Sequence, residues 1–190
     1  MNNATHTTTG RSAPYRGRSL ELYHPNPRGN GSALRLEPRV NGTDEERYNC
    51  FFLEFASQKS VADRSNGLAH ATFDWANKIT VKLGFLDVSE LLLVLEGHVQ
   101  QLGGQGKGLY HSNGTGNTLI TLNCDTERDS YYLAVSRKRA TDTTPQRIGI
   151  GLTKAEAVGL RCLLQGGLFG VMFPQALRAR QPQISAREEG

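Results

Sequence analysis

The side chains able to ligate a metal or move a proton begin with five histidines and three cysteines in a chain of 190 residues. His24 and His111 stand at matching places in two similar stretches, LYHPNPRGNGSALRLE from Leu22 and LYHSNGTGNTLITLN from Leu109. Such a pair could bind a metal or act as acid and base. No carboxylate cluster recurs beside them, however, and His6, His70 and His98 fall in unrelated contexts. Cys50, Cys124 and Cys162 are far apart and form no CxxC pair, which speaks against zinc. Their odd number, with no secretory signal visible, favours reduced thiols in an intracellular protein. The glycine-rich GGQGKG, Gly103–Gly108, follows a helix and precedes a strand, and Lys107 is followed by glycine. A phosphate loop needs the reverse order and a Ser or Thr after its Lys. Neither GxSxG nor HExxH occurs, and the acids Asp44, Glu45, Glu46, Asp125, Glu127 and Asp129 fall in turns, where carboxylates are solvated. These residues predict a protein that is not an enzyme and needs no metal or cofactor.

The strands suggest a different chemistry. Lys78, Thr80 and Lys82 share one side of a predicted strand after FDW, and Arg35, Lys59, Lys107, Arg137 and Lys138 lie on or beside others. Tyr23, Phe73, Trp75, Tyr110, Tyr131 and Tyr132 lie in or near the same strands. Cations beside rings suit single-stranded nucleic acid: charge meets the backbone, and each unpaired base offers a face for stacking, about 1–3 kcal/mol per base. The alternative is that the rings are core and the cations an ordinary polar face. Net charge does not decide. The formal +4 is supplied by the ends, Arg11, Arg16 and Arg18 in front and Arg178, Arg180, Arg187, Glu188 and Glu189 behind, so the body is neutral.

The elements that must hold these residues recur. DEERYNCFFLEFASQK from Asp44 is echoed by DTERDSYYLAVSRK from Asp125, and GFLDVSELLLVLEG from Gly84 by GIGLTKAEAVGLRCLLQG from Gly149. Asp87 with Glu90, and Thr153 with Glu156, have the spacing of capping boxes, in which the cap side chain takes a free helix N–H and the Glu returns to the cap's own. Period-two alternation predicts strands in LELYH, SALRLEPRV, NCFFLEFAS and NKITVKLGF, then over 108–112, 118–124, 131–138 and 146–151. Helices are predicted from Asp87 to about Gln101 and from Lys154 to about Phe173. Four strands and a helix, twice, with short turns, is an α+β pattern of antiparallel meanders. The halves span about 19–102 and 103–174. Residues 1–18 and 175–190 read as disordered tails. The second helix is apolar all round from Val158 to Phe173, with Arg161 its one charge. A single sheet covers one side of a helix, so Leu160, Leu164, Leu168, Phe169, Met172 and Phe173 are assigned to an oligomer interface. No uncharged apolar run reaches the ~20 residues of a membrane span.

The order ALRLEPR, FFLEFA, FDWANK, DVSELLLVL and GLTKAEAVGL resembles the Whirly family of single-stranded-DNA-binding proteins over about residues 19–174. The resemblance implies two four-stranded antiparallel sheets packed roughly perpendicular, with helices at the core of a four-fold tetramer. It implies single strands lying along the sheets and between subunits, with little sequence choice. Trp75, Asn77 and Lys78 match a binding region, whereas Lys154 and Glu156 match a segment read as a helix cap. Plant members carry a lysine-rich KGKAAL where this chain has GNGSAL, Gly29–Leu34, flanked by Arg28 and Arg35. Kinetoplastid mitochondrial guide-RNA-binding proteins share that fold, so RNA stays open beside DNA. The expected function is protection, repair or recombination of DNA, in a bacterial cytoplasm or nucleoid or in an organelle. The alternatives are an RNA chaperone and an assembly module without nucleic acid.

Overall fold

The computed structural model describes residues 19–39 and 49–173. The predicted tails and the acidic turn at Asp44, Glu45 and Glu46 lie outside the described residues. In chain order the elements are β1 (Leu20–His24), β2 (Ser32–Arg39), β3 (Cys50–Ser60), β4 (Thr72–Phe73), β5 (Ile79–Leu83), α1 (Phe85–Leu95), β6 (Leu109–Asn113), β7 (Gly116–Asp125), β8 (Ser130–Arg139), β9 (Gln146–Thr153) and α2 (Lys154–Met172). Each sheet is therefore followed by its helix, as the repeated pattern predicts.

The first sheet runs β1-β2-β3 with β5 on the far side of β3, all antiparallel. It has five strands rather than four, because β4 pairs with the end of β3 across a bulge. A strand this short shows no alternation to read. The second sheet is a β6-β7-β8-β9 meander. The alternating residues do what period two requires. Leu34, Leu36, Phe51, Leu53, Phe55, Ile79 and Val81 of the first sheet, and Ile120, Leu122, Leu133, Val135, Ile148 and Ile150 of the second, turn inward. With residues of α1 and α2 they form one continuous core.

The β1–β2 connection is fixed from inside. Buried Gln58 accepts from the N–H groups of Asn26 (2.9 Å) and Gly31 (3.0 Å) and donates to the Asn26 carbonyl (3.1 Å). A Cβ at Gly31 would stand 2.3 Å from the His24 carbonyl oxygen, so no side chain fits there.

The helix caps differ from each other. Thr153 and Glu156 form the predicted box: Thr153 Oγ1 accepts from the Glu156 N–H, and Glu156 Oε2 accepts from the Thr153 N–H at 2.8 Å. On α1 the cap is Gly84, and Asp87 sits three residues on, accepting the Gly84 N–H at 2.8 Å. The predicted Asp87 cap is thus one turn late. The far end is also earlier than predicted. Gly97 takes a positive φ of 78°, and bonds from its N–H to the Val94 carbonyl and from the His98 N–H to that of Leu93 close a Schellman motif. Val99 consequently leaves the helix, whereas Leu102 is carried into the core by its N–H bond to the Leu122 carbonyl.

Candidate nucleic-acid interface

On the first sheet the residues singled out for chemistry come together. Register puts Glu21 opposite Arg35 and Arg35 opposite Glu54, with Tyr23 two residues along. Trp75 belongs to a 3-10 turn, Trp75–Asn77, capped by Asp74, which accepts the Asn77 amide at 2.8 Å. That turn lays Trp75 under the Arg35 guanidinium, 4.4 Å from ring centroid to Cζ. Tyr23 closes the group, 5.4 Å from Phe73 and 6.3 Å edge-on to Trp75. The cations are already answered. Arg35 Nε lies 2.7 Å from Glu21, and Lys78 Nζ lies 2.7 Å from Glu54, which also faces Arg35 at 3.5 Å. The Tyr23 hydroxyl donates to Glu21 and, with Arg35, holds the Glu21 carboxyl below the usual carboxylate range against the opposing effect of burial. Two cations against two carboxylates leave no surplus for phosphate in this cluster.

The second sheet is different. Its outward positions carry Tyr110 on β6, Tyr132 and Lys138 on β8 and Arg147 on β9, all exposed, with Ala134, Gly149 and Gly151 between them. Among the described residues no carboxylate lies within ion-pair distance of Lys138, which sequence reasoning singled out, or of Arg147, which it did not. Alternation could have found Arg147, since it faces the same way as Gly149 and Gly151. Asp125 closes the far end of β7, so the cationic end is well separated from it. Beside Tyr132 opens a cleft of about 830 Å³, lined by Asn123, Arg128, Gly151 and His24 among others.

The remaining candidates are scattered. Arg28 is exposed in the β1–β2 turn, Lys59 at the end of β3 and Lys107 in the glycine-rich turn before β6. Lys82 projects outward from β5 opposite Phe52. Asn77 serves its own turn, and its carbonyl accepts from Gln146 at 3.2 Å. Arg137 points inward. It donates from Nε to Thr118 (3.2 Å) and from Nη2 to the Thr80 carbonyl, tying the sheets together, and burial pushes its pKa down. Its guanidinium thus serves as a cross-link between the sheets.

The two histidines have partners that sequence reasoning missed. His24 Nε2 lies 2.7 Å from Glu156 Oε1, and His111 Nε2 lies 2.8 Å from Asp87 Oδ1. Each strand of one half thereby grips the capping carboxylate of the other half's helix. Among the described residues no group of three His, Cys, Asp or Glu side chains could hold a metal. On α2, Leu160 and Leu164 are inside the chain's own core, 2% and 0% exposed, and so are removed from the predicted interface. Leu168 packs against that core. The outward apolar face is carried by Val158, Leu163, Phe169, Met172 and Phe173, and on α1 by Phe85, Leu86 and Leu93.

No protein-family model matches the chain, and no curated protein sequence matches it. Solved structures do. WHY3 from Arabidopsis thaliana superposes with a TM-score of 0.67 at 16% identity, over 88% of this chain and 95% of that one. The plant transcriptional regulator PBF-2 gives a TM-score of 0.62 at 16% identity, over 87% and 88%. A guide-RNA-binding protein complex bound to a guide RNA gives 0.53 at 15%, over 84% and 93%. The chain has the Whirly-like fold.

Proposed function

We propose that this chain is a non-enzymatic, single-stranded-DNA-binding protein of low sequence specificity. It acts as a homotetramer in DNA protection, repair or recombination. The observation that carries the reading is the outward face of the second sheet, where Lys138 and Arg147 have no carboxylate partner among the described residues and lie on the same face as exposed Tyr110 and Tyr132. Unpaired cations attract phosphate, and exposed rings accept bases that a duplex would keep stacked. Lys107 beside β6, and Arg28, Lys59 and Lys82 around the first sheet, extend the track. Tyr23, Arg35, Trp75, Asn77 and Lys78 form a pre-ordered aromatic platform whose charges must exchange partners before they meet phosphate. The Whirly-like fold of proteins from plants and of a guide-RNA-binding complex supports a nucleic-acid role.

The test is an anisotropy titration of the full chain against a ~30-nucleotide oligothymidylate, the matching RNA and a duplex. Single strands bind and duplex binds weakly, and affinity falls steeply with salt at a slope of about −0.7 per phosphate contacted. Lys138→Glu with Arg147→Glu lowers affinity and flattens that slope by ~1.4. Equal binding to duplex, or a slope left unchanged by both reversals, overturns the reading. The guide-RNA-bound neighbour favours RNA as a second reading, and tighter binding of the RNA strand would select it.

A further inference from the structure

Tyr132 lies between Asn123 on β7 and Gly151 on β9. Its direction is visible in what surrounds Gly149. A Cβ built there would meet the Tyr132 Oη at 2.2 Å, its Cζ at 2.6 Å and the Ala134 Cβ at 3.1 Å. Gly149 pairs with Ala134, so it is the diagonal neighbour of Tyr132. The ring therefore leans along the sheet over its smallest residues instead of standing up from it, with 45% of the residue exposed. No heavy atom lies within 4 Å of a Cβ built on Gly151, on the other side of Tyr132. The cleft of about 830 Å³ opens there, a size at which small-molecule sites are found. Across the register stands exposed Asn123, whose amide has no hydrogen-bond partner among the described residues and can both donate and accept. At the rim the Arg128 side chain, 83% exposed, is loosely ion-paired with Asp125 at 3.7 Å.

We propose that this cleft holds one unpaired nucleobase, stacked on Tyr132 with its hydrogen-bonding edge toward Asn123. Gly149 is the positioning residue that lets the ring lie down. This rests on the single-strand reading above and adds to it a stacking site and the residue that shapes it. A paired base is excluded because both of its faces and its edge are already occupied in a duplex. A side chain at 149 lifts the ring, so Gly149 acts through Tyr132 alone.

The experiment uses the full chain and two strands of equal length at one low salt concentration, oligothymidylate and an abasic tetrahydrofuran strand. Tyr132→Ala weakens oligothymidylate binding by about 5- to 150-fold, the equivalent of ~1–3 kcal/mol of stacking. It leaves the abasic strand unchanged, and Tyr132→Phe retains binding to both. Gly149→Ala reproduces the selective loss and has no further effect in the Tyr132→Ala background. Equal loss on both strands, no loss on either, or an additional effect of Gly149→Ala without Tyr132 overturns the proposal. Should Gly149→Ala fail to fold, the comparison of Tyr132→Ala with Tyr132→Phe decides. If the unmutated chain binds neither strand, the single-strand reading fails as well. If it binds oligothymidylate normally and Tyr132→Ala is silent, this cleft alone is excluded.

Discussion

Glu156 shows how one residue joins the two halves. Its Oε2 caps its own helix through the Thr153 N–H and hydroxyl, while its Oε1 meets His24 from the opposite half. Burial alone would raise this carboxyl, but the Thr153 N–H, His24 and the Thr153 hydroxyl outweigh it, and its pKa is held below the usual carboxylate range. The sign follows from linkage. A carboxyl depressed on folding stabilises the protein above its unfolded pKa, and that stabilisation disappears as pH falls through the folded value. Glu156→Gln keeps the acceptor and removes the charge at a helix N-terminus, worth ~0.3–1 kcal/mol. Urea denaturation should show this deficit at neutral pH, and a gap closing as pH falls through the lowered folded pKa of the wild-type carboxyl. A gap that stays constant with pH would show that the charge contributes nothing. The sequence exposed both parts of this device, the matched histidines and the matched capping segments. It did not show that each histidine reaches the helix of the other half, because those pairings are created by packing between the halves, across 132 positions for His24 and Glu156 and 24 for His111 and Asp87.

At the scale of elements, strands were legible wherever one face is buried, since burial imposes period two on residues such as Leu34, Leu36, Phe51, Leu53 and Phe55. Where local geometry decides, the reading failed. Gly97 ends α1 through its left-handed backbone, ahead of apolar residues that continue the helical spacing. Arg137 looked like its neighbour Lys138, but one pleat separates a half-buried cross-link from an exposed cation. Glycines on α2 make a related point. A Cβ at Gly167 would stand 2.6 Å from the Phe51 ring, whereas Gly159 has open space around it. In a helix, Gly to Ala gains up to ~1 kcal/mol from propensity. Gly167→Ala must nevertheless destabilise, since displacing a fully buried ring costs ~1–3 kcal/mol. Its melting temperature should drop, and a Phe51→Leu partner substitution should recover part of the loss. A stabilised Gly167→Ala would mean that α2 does not rest on β3 in this way.

At the scale of the molecule, α2 divides its apolar residues between two destinations. Leu160 and Leu164 complete the chain's own core, each fully buried large side chain contributing ~1.5–3 kcal/mol. Leu163 and Met172 remain 43% and 45% exposed, alongside Phe169 and Phe173, whose rings contact each other at 5.3 Å. Exposed apolar groups on two packed helices are the kind of surface that marks an association site, and the proposed homotetramer would remove it from water. The two populations can be separated by mutation. Leu163→Glu with Met172→Glu should leave the circular dichroism of the chain intact and shift its light-scattering mass from that of four chains to that of one. Leu164→Glu should instead unfold it, because a carboxylate cannot be solvated in the core. Binding then reports on assembly. If the proposed tetramer lets several subunits engage a long strand at once, the dissociated variant should lose far more affinity for a ~30-mer than for a ~8-mer, which one subunit can hold. If the unmutated chain is already monomeric, or if the double variant loses both strands equally, the outward helices do not bring binding faces together.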